Sequence, residues 1–292
     1  MSLSRVHILG CGRTARSLAR VLHESGAVRI GQVVNRTLAS STEAVEFIGS
    51  GTPADSLEGS LAGDWLMMGL PDGELAEAAE RLAERLSAEP ALVFHLSGSV
   101  PSEVLSPLGK CRASVHPLRA FSDPEWAVAN FGDTWCVAEG SASALAALGP
   151  VFECGGARFV TFAPADKAAW HAATVAASNF LVVINSLARE LAVKAGVDEE
   201  DARRMLADLQ KGTLASLAEM PATQALTGPF ERADLAACRR LHGAVHGALD
   251  ASRSALFDAL AHATVELAKD KRGRREADGE LLTMLSATSR RD

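Results

Sequence analysis

A glycine turn close to the start of the chain constrains its fold more than any other feature. The segment VHILGCGRTARSLARVL, residues 6–22, begins as an apolar run, breaks at Gly-Cys-Gly and continues with apolar residues at helical spacing. Gly10, Gly12 and Ala15 occupy the three positions of the Gly-x-Gly-x-x-Gly/Ala pattern that joins a strand to a helix. The pattern predicts a βαβ unit that binds a dinucleotide at the helix N-terminus. A tight turn without a ligand is the alternative.

The end of the second predicted strand indicates which dinucleotide is bound. An Asp or Glu at this place accepts hydrogen bonds from the ribose 2′-OH of NAD. Here GQVVNRT ends in Asn35-Arg36-Thr37, and the guanidinium of Arg36 suits a 2′-phosphate. We therefore expect NADP(H) rather than NAD(H). The predicted cofactor-binding residues are Gly10, Cys11, Gly12, Arg13, Thr14, Ala15, Asn35, Arg36, Thr37, Leu70, Pro71 and Ser97.

The order of the predicted elements indicates an α/β fold with two domains. Short apolar runs alternate with helical segments up to residue 162, which predicts a Rossmann-type, doubly wound and mainly parallel sheet. No strand pattern follows, so we expect residues 1–160 to bind the cofactor and residues 161–292 to form an all-α domain. Its first helix is predicted as one segment over residues 163–196, and the charged tail from Lys269 is expected to fray.

Composition limits the class of partner and the compartment. The net charge of −7 argues against a general nucleic-acid or membrane-surface binder. Five cysteines without a CxxC pair, and no visible secretory signal, are typical of a reduced cytoplasmic protein. The apolar stretch 168–188 contains polar residues, so a buried helix is favoured over a membrane span. Apolar helices of this length suggest a homodimer formed through the helical half.

Candidate catalytic residues follow two strands and lie on the long helix. Ser97 in HLSGS and His116 in SVHPL end consecutive strands, where parallel sheets bind ligands. We expect His171 to act as general acid/base, because its ordinary pKa lies near working pH. Ser97 and Asn179 are expected to hold the reacting heteroatom or the cofactor carboxamide. Structural hydrogen bonding is the alternative for His116, His171 and Asn179, and Lys167 is expected to be solvated.

Two further patterns receive a structural interpretation. HGAVH places His242 and His246 four residues apart on a helix, a spacing compatible with zinc, but no third ligand is evident nearby. No metal is therefore predicted. In ALTGPFERAD, Arg232 and Asp234 are expected to pair and close a loop.

Several segments together resemble a known family. The glycine turn with NRT is similar to pyrroline-5-carboxylate reductases. HLSGS, SVHPL, HAATVAASNF and ALTGPFERAD resemble bacterial two-domain predicted oxidoreductases, which join a Rossmann-like NADP-binding domain to a helical domain of unknown function. The wider clan includes 6-phosphogluconate dehydrogenase, and His116 resembles the histidine of an HP motif in prephenate dehydrogenases. The family usually has Arg-Gly-Asp where this chain has Arg232-Ala233-Asp234.

The resemblance implies an NADP-dependent oxidoreductase. Its helical domain would resemble the C-terminal domain of 6-phosphogluconate dehydrogenase, with an active site in the cleft between domains. The expected reaction is hydride transfer to or from a small carbonyl, hydroxyacid or imine. Alternatives are a pyrroline-5-carboxylate reductase-like or prephenate dehydrogenase-like enzyme, or a non-catalytic NADP(H)-binding redox sensor. The sequence names no substrate.

Overall fold

A computed structural model describes residues 3–57, 59–162 and 166–286. The chain divides into two compact units, Met1–Ser178 and Asn179–Asp292. This division lies later than the boundary expected at 160/161. The reason is that helix α6 (Lys167–Ala177) contacts the sheet unit, in which Lys167 forms an ion pair with a strand residue.

The first unit is built on an eight-stranded sheet. The strand order is β3-β2-β1-β4-β5-β6-β7-β8, and neighbouring strands are parallel except for β6 and β7. The strands are β1 (Ser4–Leu9), β2 (Val28–Val34), β3 (Thr52–Ala54), β4 (Trp65–Met68), β5 (Leu92–His95), β6 (Arg112–Pro117), β7 (Trp135–Gly140) and β8 (Arg158–Thr161). The order 3-2-1-4-5-6 is that of Rossmann folds, so the predicted fold class is confirmed.

Helices cover both faces of this sheet. They are α1 (Arg13–Glu24), α2 (Leu38–Ile48), α3 (Leu75–Arg85), α4 (Pro124–Ala129) and α5 (Ala142–Cys154), with 3-10 turns at Asp72–Glu74 and Ser102–Leu108. Alternate residues of β4 enter two separate cores: Met67 packs with residues of α1 and α5, and Leu66 packs with residues of α3. Apolar side chains on both faces of a strand are typical of a doubly wound parallel sheet.

The second unit is helical throughout its described residues, as predicted. Its helices are α7 (Asn179–Lys194), α8 (Glu199–Glu219), α9 (Ala222–Ala225), α10 (Pro229–Arg232), α11 (Leu235–Ala248), α12 (Ala251–Arg272) and α13 (Glu276–Ser286). Cys238, Val265 and Leu281 are fully buried and form the centre of its core. Asp198 caps α8 by accepting hydrogen bonds from the N–H groups of residues 200 and 201.

The long first helix is interrupted, which corrects the single helix expected over residues 163–196. It breaks at Ser178 (φ −120°, ψ −66°), between α6 and α7, and residues 163–165 lie outside the described residues. Ser178 and Asn179 have side chains that compete for backbone hydrogen bonds, which makes this pair a favourable place for a break.

The expectation that the stretch 168–188 is buried was wrong for the single chain. Phe180 and Val182 are 56% and 67% exposed, and α6 has no fully buried residue. The segment Lys167–Lys194 also has the length and composition of a membrane span, although one such helix is weak evidence of membrane insertion.

The charged tail is ordered, which corrects the expected fraying from Lys269. Helix α12 continues to Arg272, and the Arg272 guanidinium binds both carboxylate oxygens of Asp278 at 3.1 and 2.7 Å. Leu281 and Leu285 of α13 are buried against α12 and α11. The charges at 269–280 therefore flank a packed helix instead of a loose end.

The turn after α10 has an alanine at a left-handed position. Ala233 adopts the left-handed conformation (φ 56°, ψ 38°), which is unfavourable for a residue with a Cβ. Asp234 does not pair with Arg232, contrary to expectation; it caps α11 by accepting a hydrogen bond from the Ala237 N–H. The Arg232 side chain is exposed.

Candidate functional site

The glycine turn packs closely against the chain that follows β4. Gly10 has φ +81°, and a Cβ there would lie 2.6 Å from Leu70 Cδ2. Across the contact, a Cβ on Gly69 would lie 2.3 Å from the Gly10 oxygen and 2.5 Å from the Ala15 Cβ. Both positions therefore require glycine for reasons internal to the protein. The sequence analysis missed Gly69, whose signal was its place at the end of a buried strand.

Gly12 is different, because the protein itself gives no reason for a glycine there. Its φ of −71° suits any residue, and no atom of the described chain lies within 4 Å of a Cβ built on it. Gly12 is also the N-cap of α1, provides no side chain to cap it, and no acidic residue occupies the first turn. The first N–H groups of α1, at Arg13, Thr14 and Ala15, thus face a space suited to an anion.

Asn35 connects the glycine turn to the end of β2. Its side-chain oxygen accepts a hydrogen bond from the Cys11 N–H at 2.6 Å, and its amide donates to the Ser40 oxygen at 3.0 Å. Cys11 is buried, and burial raises the pKa of its thiol to about 12. Asn35 therefore positions the turn, and Cys11 fits as a small residue that is not a reactive thiol.

The remaining predicted cofactor residues lie around this turn. Thr37 caps α2 by accepting a hydrogen bond from the Ser40 N–H. Arg36 is exposed, and no described residue forms a hydrogen bond or ion pair with its guanidinium. Arg13 is also exposed, and its guanidinium lies 3.5 Å from the Ser122 oxygen. Leu70 is half-buried and Pro71 is exposed next to it.

Two imidazoles meet over a glycine beyond the ends of β5 and β6. The rings of His116 and His171 are 5.2 Å apart in an edge-to-face arrangement. A Cβ on Gly98 would lie 2.3 Å from His171 Nδ1 and 2.8 Å from His116 Nδ1, so only glycine admits both rings. His116 Nδ1 is buried and has no hydrogen-bond partner among the described residues. Burial, with the charges of His171 and Lys167, lowers the pKa of His116 to about 4.

A buried ion pair lies beside these rings and corrects the expectation that Lys167 is solvated. The Lys167 side chain is 10% exposed; its Nζ lies 3.1 Å from Glu139 Oε1 and donates to the Ser114 hydroxyl. Glu139 also accepts hydrogen bonds from the Ser102 N–H and hydroxyl, at 2.7 and 2.6 Å. Sequence reasoning missed Glu139, whose signal was a carboxylate within an otherwise apolar strand.

Strand register explains how this group assembles. Ser114 stands opposite Glu139 in the antiparallel β6–β7 pair, and His116 follows Ser114 on the same face of β6. Burial lowers the pKa of Lys167 despite the nearby carboxylate. Desolvation opposes ionisation of Glu139, but the hydrogen bonds from Ser102 and the charge of Lys167 outweigh it and lower its pKa.

Ser97 lies in the loop that carries Gly98. Its hydroxyl accepts hydrogen bonds from the Ser99 and Val100 N–H groups at 3.1 and 3.0 Å, and its N–H donates to His95 Nδ1. Ser97 and His116, which follow strands, and His171 of α6 therefore lie around one loop. Asn179 begins α7 in the helical unit, where it is exposed.

A family match covers about the last quarter of the sheet unit and much of the helical unit. Residues 134–264 match the family described as a domain of unknown function, DUF2520. The match covers somewhat less than half of the chain. It includes β7, β8 and helices α5–α11, and it therefore carries both Glu139 and His171. No curated protein matches the chain.

Solved structures with the same two-part architecture match nearly the whole chain. A putative NADP oxidoreductase from Bacteroides fragilis has a TM-score of 0.75 at 23% identity, over 90% of this chain and 98% of its own. A reductive aminase from Aspergillus terreus, in complex with NADPH and ethyl levulinate, has a TM-score of 0.69 at 16% identity, over 95% of this chain and 98% of its own. A pyrroline-5-carboxylate reductase from Coxiella burnetii has a TM-score of 0.58 at 19% identity, over 92% of this chain and 99% of its own. These likenesses and the DUF2520 match confirm the predicted resemblance and fold.

Two buried histidines of the sheet unit, His95 and His116, make its free energy of unfolding depend on pH. Burial lowers the pKa of His95 to about 4, as for His116, whereas an unfolded chain protonates its histidines near 6.5. Between these values the unfolded chain binds protons that the folded chain does not. The free energy of unfolding is therefore highest above pH 6.5 and falls toward pH 4, by roughly 3 kcal/mol per histidine.

Urea denaturation at a series of pH values checks this, followed by tryptophan fluorescence, since all four tryptophans lie in the sheet unit. In His95→Asn, the Asn amide oxygen can replace His95 Nδ1 as the acceptor for the Ser97 N–H. Between pH 6.5 and 4, unfolding of this variant should take up about one proton fewer, so its free energy of unfolding should fall less steeply as the pH is lowered. An equally steep fall in the variant and the unmodified chain would contradict the low pKa assigned to His95.

Proposed function

We propose that the chain is an NADP(H)-dependent oxidoreductase. The observation that carries the proposal is the open space at Gly12, next to an α1 N-terminus with no side-chain cap and no acidic residue in its first turn. The protein's own backbone and packing do not require a glycine there, whereas close approach of a pyrophosphate to the backbone does. Bound at this place, NADPH would supply the hydride.

Arg36 supports the 2′-phosphorylated form of the cofactor. It follows β2 at the place where NAD-binding folds have a carboxylate, and its guanidinium is exposed without a described partner. A free guanidinium can form a bidentate, charge-assisted pair with a phosphate. Asn35 and Thr37 on either side are engaged in holding the turn and capping α2, so Arg36 is the group left for the ligand.

Substitution of Arg36 tests the cofactor assignment. Arg36→Ala should weaken NADPH binding about 10- to 100-fold, the loss expected for one charge-assisted pair, and leave NADH binding nearly unchanged. Calorimetric titration with both nucleotides measures the two effects. The matched control is Arg29→Ala, an exposed arginine on the same strand, which should bind NADPH as the unmodified chain does. Equal effects of the two substitutions would contradict a specific 2′-phosphate contact.

The polar group beyond β5 and β6 supports a catalytic role over simple nucleotide binding. Reduction of a C=O or C=N bond needs a proton at the heteroatom, and His171 lies at the edge of the group with Nδ1 3.3 Å from the Thr174 hydroxyl. His116, with a pKa of about 4, stays neutral and offers its unpartnered Nδ1 for a hydrogen bond. We assign His171 as proton donor and His116, with Ser97, to orientation of the reacting group.

The proposed substrates are small carbonyls, hydroxyacids or imines. The neighbours named a pyrroline-5-carboxylate reductase and a reductive aminase make cyclic and acyclic imines the first compounds to test, by the loss of NADPH absorbance. Asn179 is proposed to contact the substrate from the helical unit. Tight NADPH binding without turnover across this panel would favour the redox sensor instead.

His171→Ala tests the assignment of the proton donor. With any substrate that the unmodified chain reduces, we expect kcat to fall about 100- to 10,000-fold, the usual contribution of a positioned acid. The dissociation constant of NADPH should change less than twofold, because no contact among the described residues joins His171 to the glycine turn or to Arg36. His23→Ala, at the last turn of α1, is the control and should retain full kcat. Undiminished kcat in His171→Ala would exclude it as the donor.

We also propose that the chain forms a homodimer through the helical unit. Exposed aliphatic and aromatic side chains are concentrated on α7 and α8, and a patch of this kind is unusual on a monomer. They are Phe180, Val182, Val183, Ile184, Val193, Met205, Leu209, Leu214 and Leu217. A second copy related by twofold symmetry is the commonest way to cover such a surface.

Light scattering tests the homodimer. The unmodified chain should show twice its mass of 30.6 kDa, and Val182→Lys should raise the dimer dissociation constant at least tenfold, because it places a charge in an apolar interface. Leu38→Lys, at an exposed apolar position on α2 of the sheet unit, should leave the mass unchanged. A monomeric unmodified chain would overturn the proposal.

A further inference from the structure

Two histidines and an aspartate converge in the helical unit, away from every residue used above. His242 and His246 lie one turn apart on α11, with ring centroids 4.1 Å apart. Asp258 reaches them from α12: its Oδ2 lies 2.9 Å from His246 Nε2, and its Oδ1 lies 3.5 Å from His242 Nε2. One ligand atom from each of the three lies within 4.8 Å of the others.

The protein leaves two of these polar atoms without partners. His242 Nε2 and Asp258 Oδ1 are both buried and lack a hydrogen-bond partner in the described part of the chain. The Asp258 side chain is 4% exposed, so its carboxylate has almost no access to water. Leaving a buried donor or acceptor unpaired is costly, and buried carboxylates are normally paired or bind a cation. The hydrogen bond to His246 and the 3.5 Å approach of His242 Nε2 to Oδ1, which is too poorly aligned to count as a hydrogen bond, leave this group incompletely satisfied.

A metal ion would satisfy all three side chains at once. Ligands about 2.0–2.2 Å from a tetrahedral ion lie roughly 3.3–3.6 Å from one another. The 3.5 Å between His242 Nε2 and Asp258 Oδ1 is within this range, and the 2.9 Å between His246 Nε2 and Asp258 Oδ2 is a hydrogen bond that opens when the ion binds. Neutral imidazole nitrogens with one carboxylate form the ligand set of zinc and similar divalent transition metals, whereas calcium and magnesium prefer oxygen. The sequence analysis found only the His242–His246 spacing, because Asp258 is on the following helix.

We propose that His242, His246 and Asp258 bind one divalent transition metal ion of the zinc class. The ion joins α11 to α12 and replaces the missing hydrogen bonds of His242 and Asp258. The imidazole side chains are 21% and 24% exposed, so the ion is reachable from solvent on their side. Three protein ligands leave a fourth position of a tetrahedral ion for a water or a ligand oxygen.

Metal content and calorimetric titration with Zn²⁺ test the site on the full chain. After removal of metal with a chelator, we expect one Zn²⁺ per chain and a rise in the melting temperature of the helical unit on binding. His242→Gln and Asp258→Asn should each weaken Zn²⁺ binding at least 100-fold. Asp258→Asn keeps the size of the side chain and removes only its charge, so it separates loss of a ligand from loss of packing.

The control is His262→Gln, a histidine on α12 one turn beyond Asp258 and outside the cluster. It should bind Zn²⁺ as the unmodified chain does. Circular dichroism establishes that each variant is folded. The proposal is overturned if the unmodified chain does not bind Zn²⁺. It is also overturned if His242→Gln and Asp258→Asn bind Zn²⁺ as tightly as the control His262→Gln does. Because these residues lie outside the glycine turn, loss of NADPH binding has no bearing on this result.

Discussion

The contact between the glycine turn and Gly69 is the constraint on which the proposed cofactor site depends. Three strand ends meet there: β1 ends in the turn, β4 ends at Gly69, and β2 contributes Asn35, which binds the Cys11 N–H. Because the Gly10 backbone already touches Gly69, no side chain fits between them, and α1 begins close to the sheet. The open side of the turn is therefore at Gly12, which is where a pyrophosphate needs space.

A second constraint lies at the loop that carries Gly98. Only a residue without a Cβ lets His116 and His171 approach the loop together, and the Ser97 hydroxyl holds the following N–H groups. The loop, both rings and the Lys167–Glu139 pair thus form one connected polar group. Its parts come from β5, β6, β7 and α6, so its geometry depends on the register of the sheet and not on any single segment.

The sequence was most informative where function depends on local backbone geometry. The Gly-x-Gly spacing and the residues after β2 form a recognisable local pattern within about thirty positions, and both were predicted correctly as elements of a Rossmann unit. Glu139 and Gly69 were missed because their roles arise from partners distant in sequence. Lys167 was misjudged for the same reason: nothing near it in the chain shows that its ammonium is buried against β7. The break at Ser178 was missed because apolar residues resume directly after Asn179, so the polar pair did not stand out as the end of a helix.

The burial of Lys167 and Glu139 says more about chemistry than about stability. Removing two charges from water costs several kcal/mol each, and the attraction between them regains that energy only with good geometry and added hydrogen bonds. Ser102 and Ser114 provide those hydrogen bonds, yet a well-packed apolar pair could stabilise the same strands and helix as effectively.

What the apolar pair could not provide is a fixed positive charge next to a neutral imidazole. Burial and the neighbouring His171 lower the pKa of His116, Lys167 adds to this effect, and the neutral His116 stands edge-to-face with His171. The ion pair thus adds to the effect of burial in keeping His116 neutral within the group in which we place the reaction.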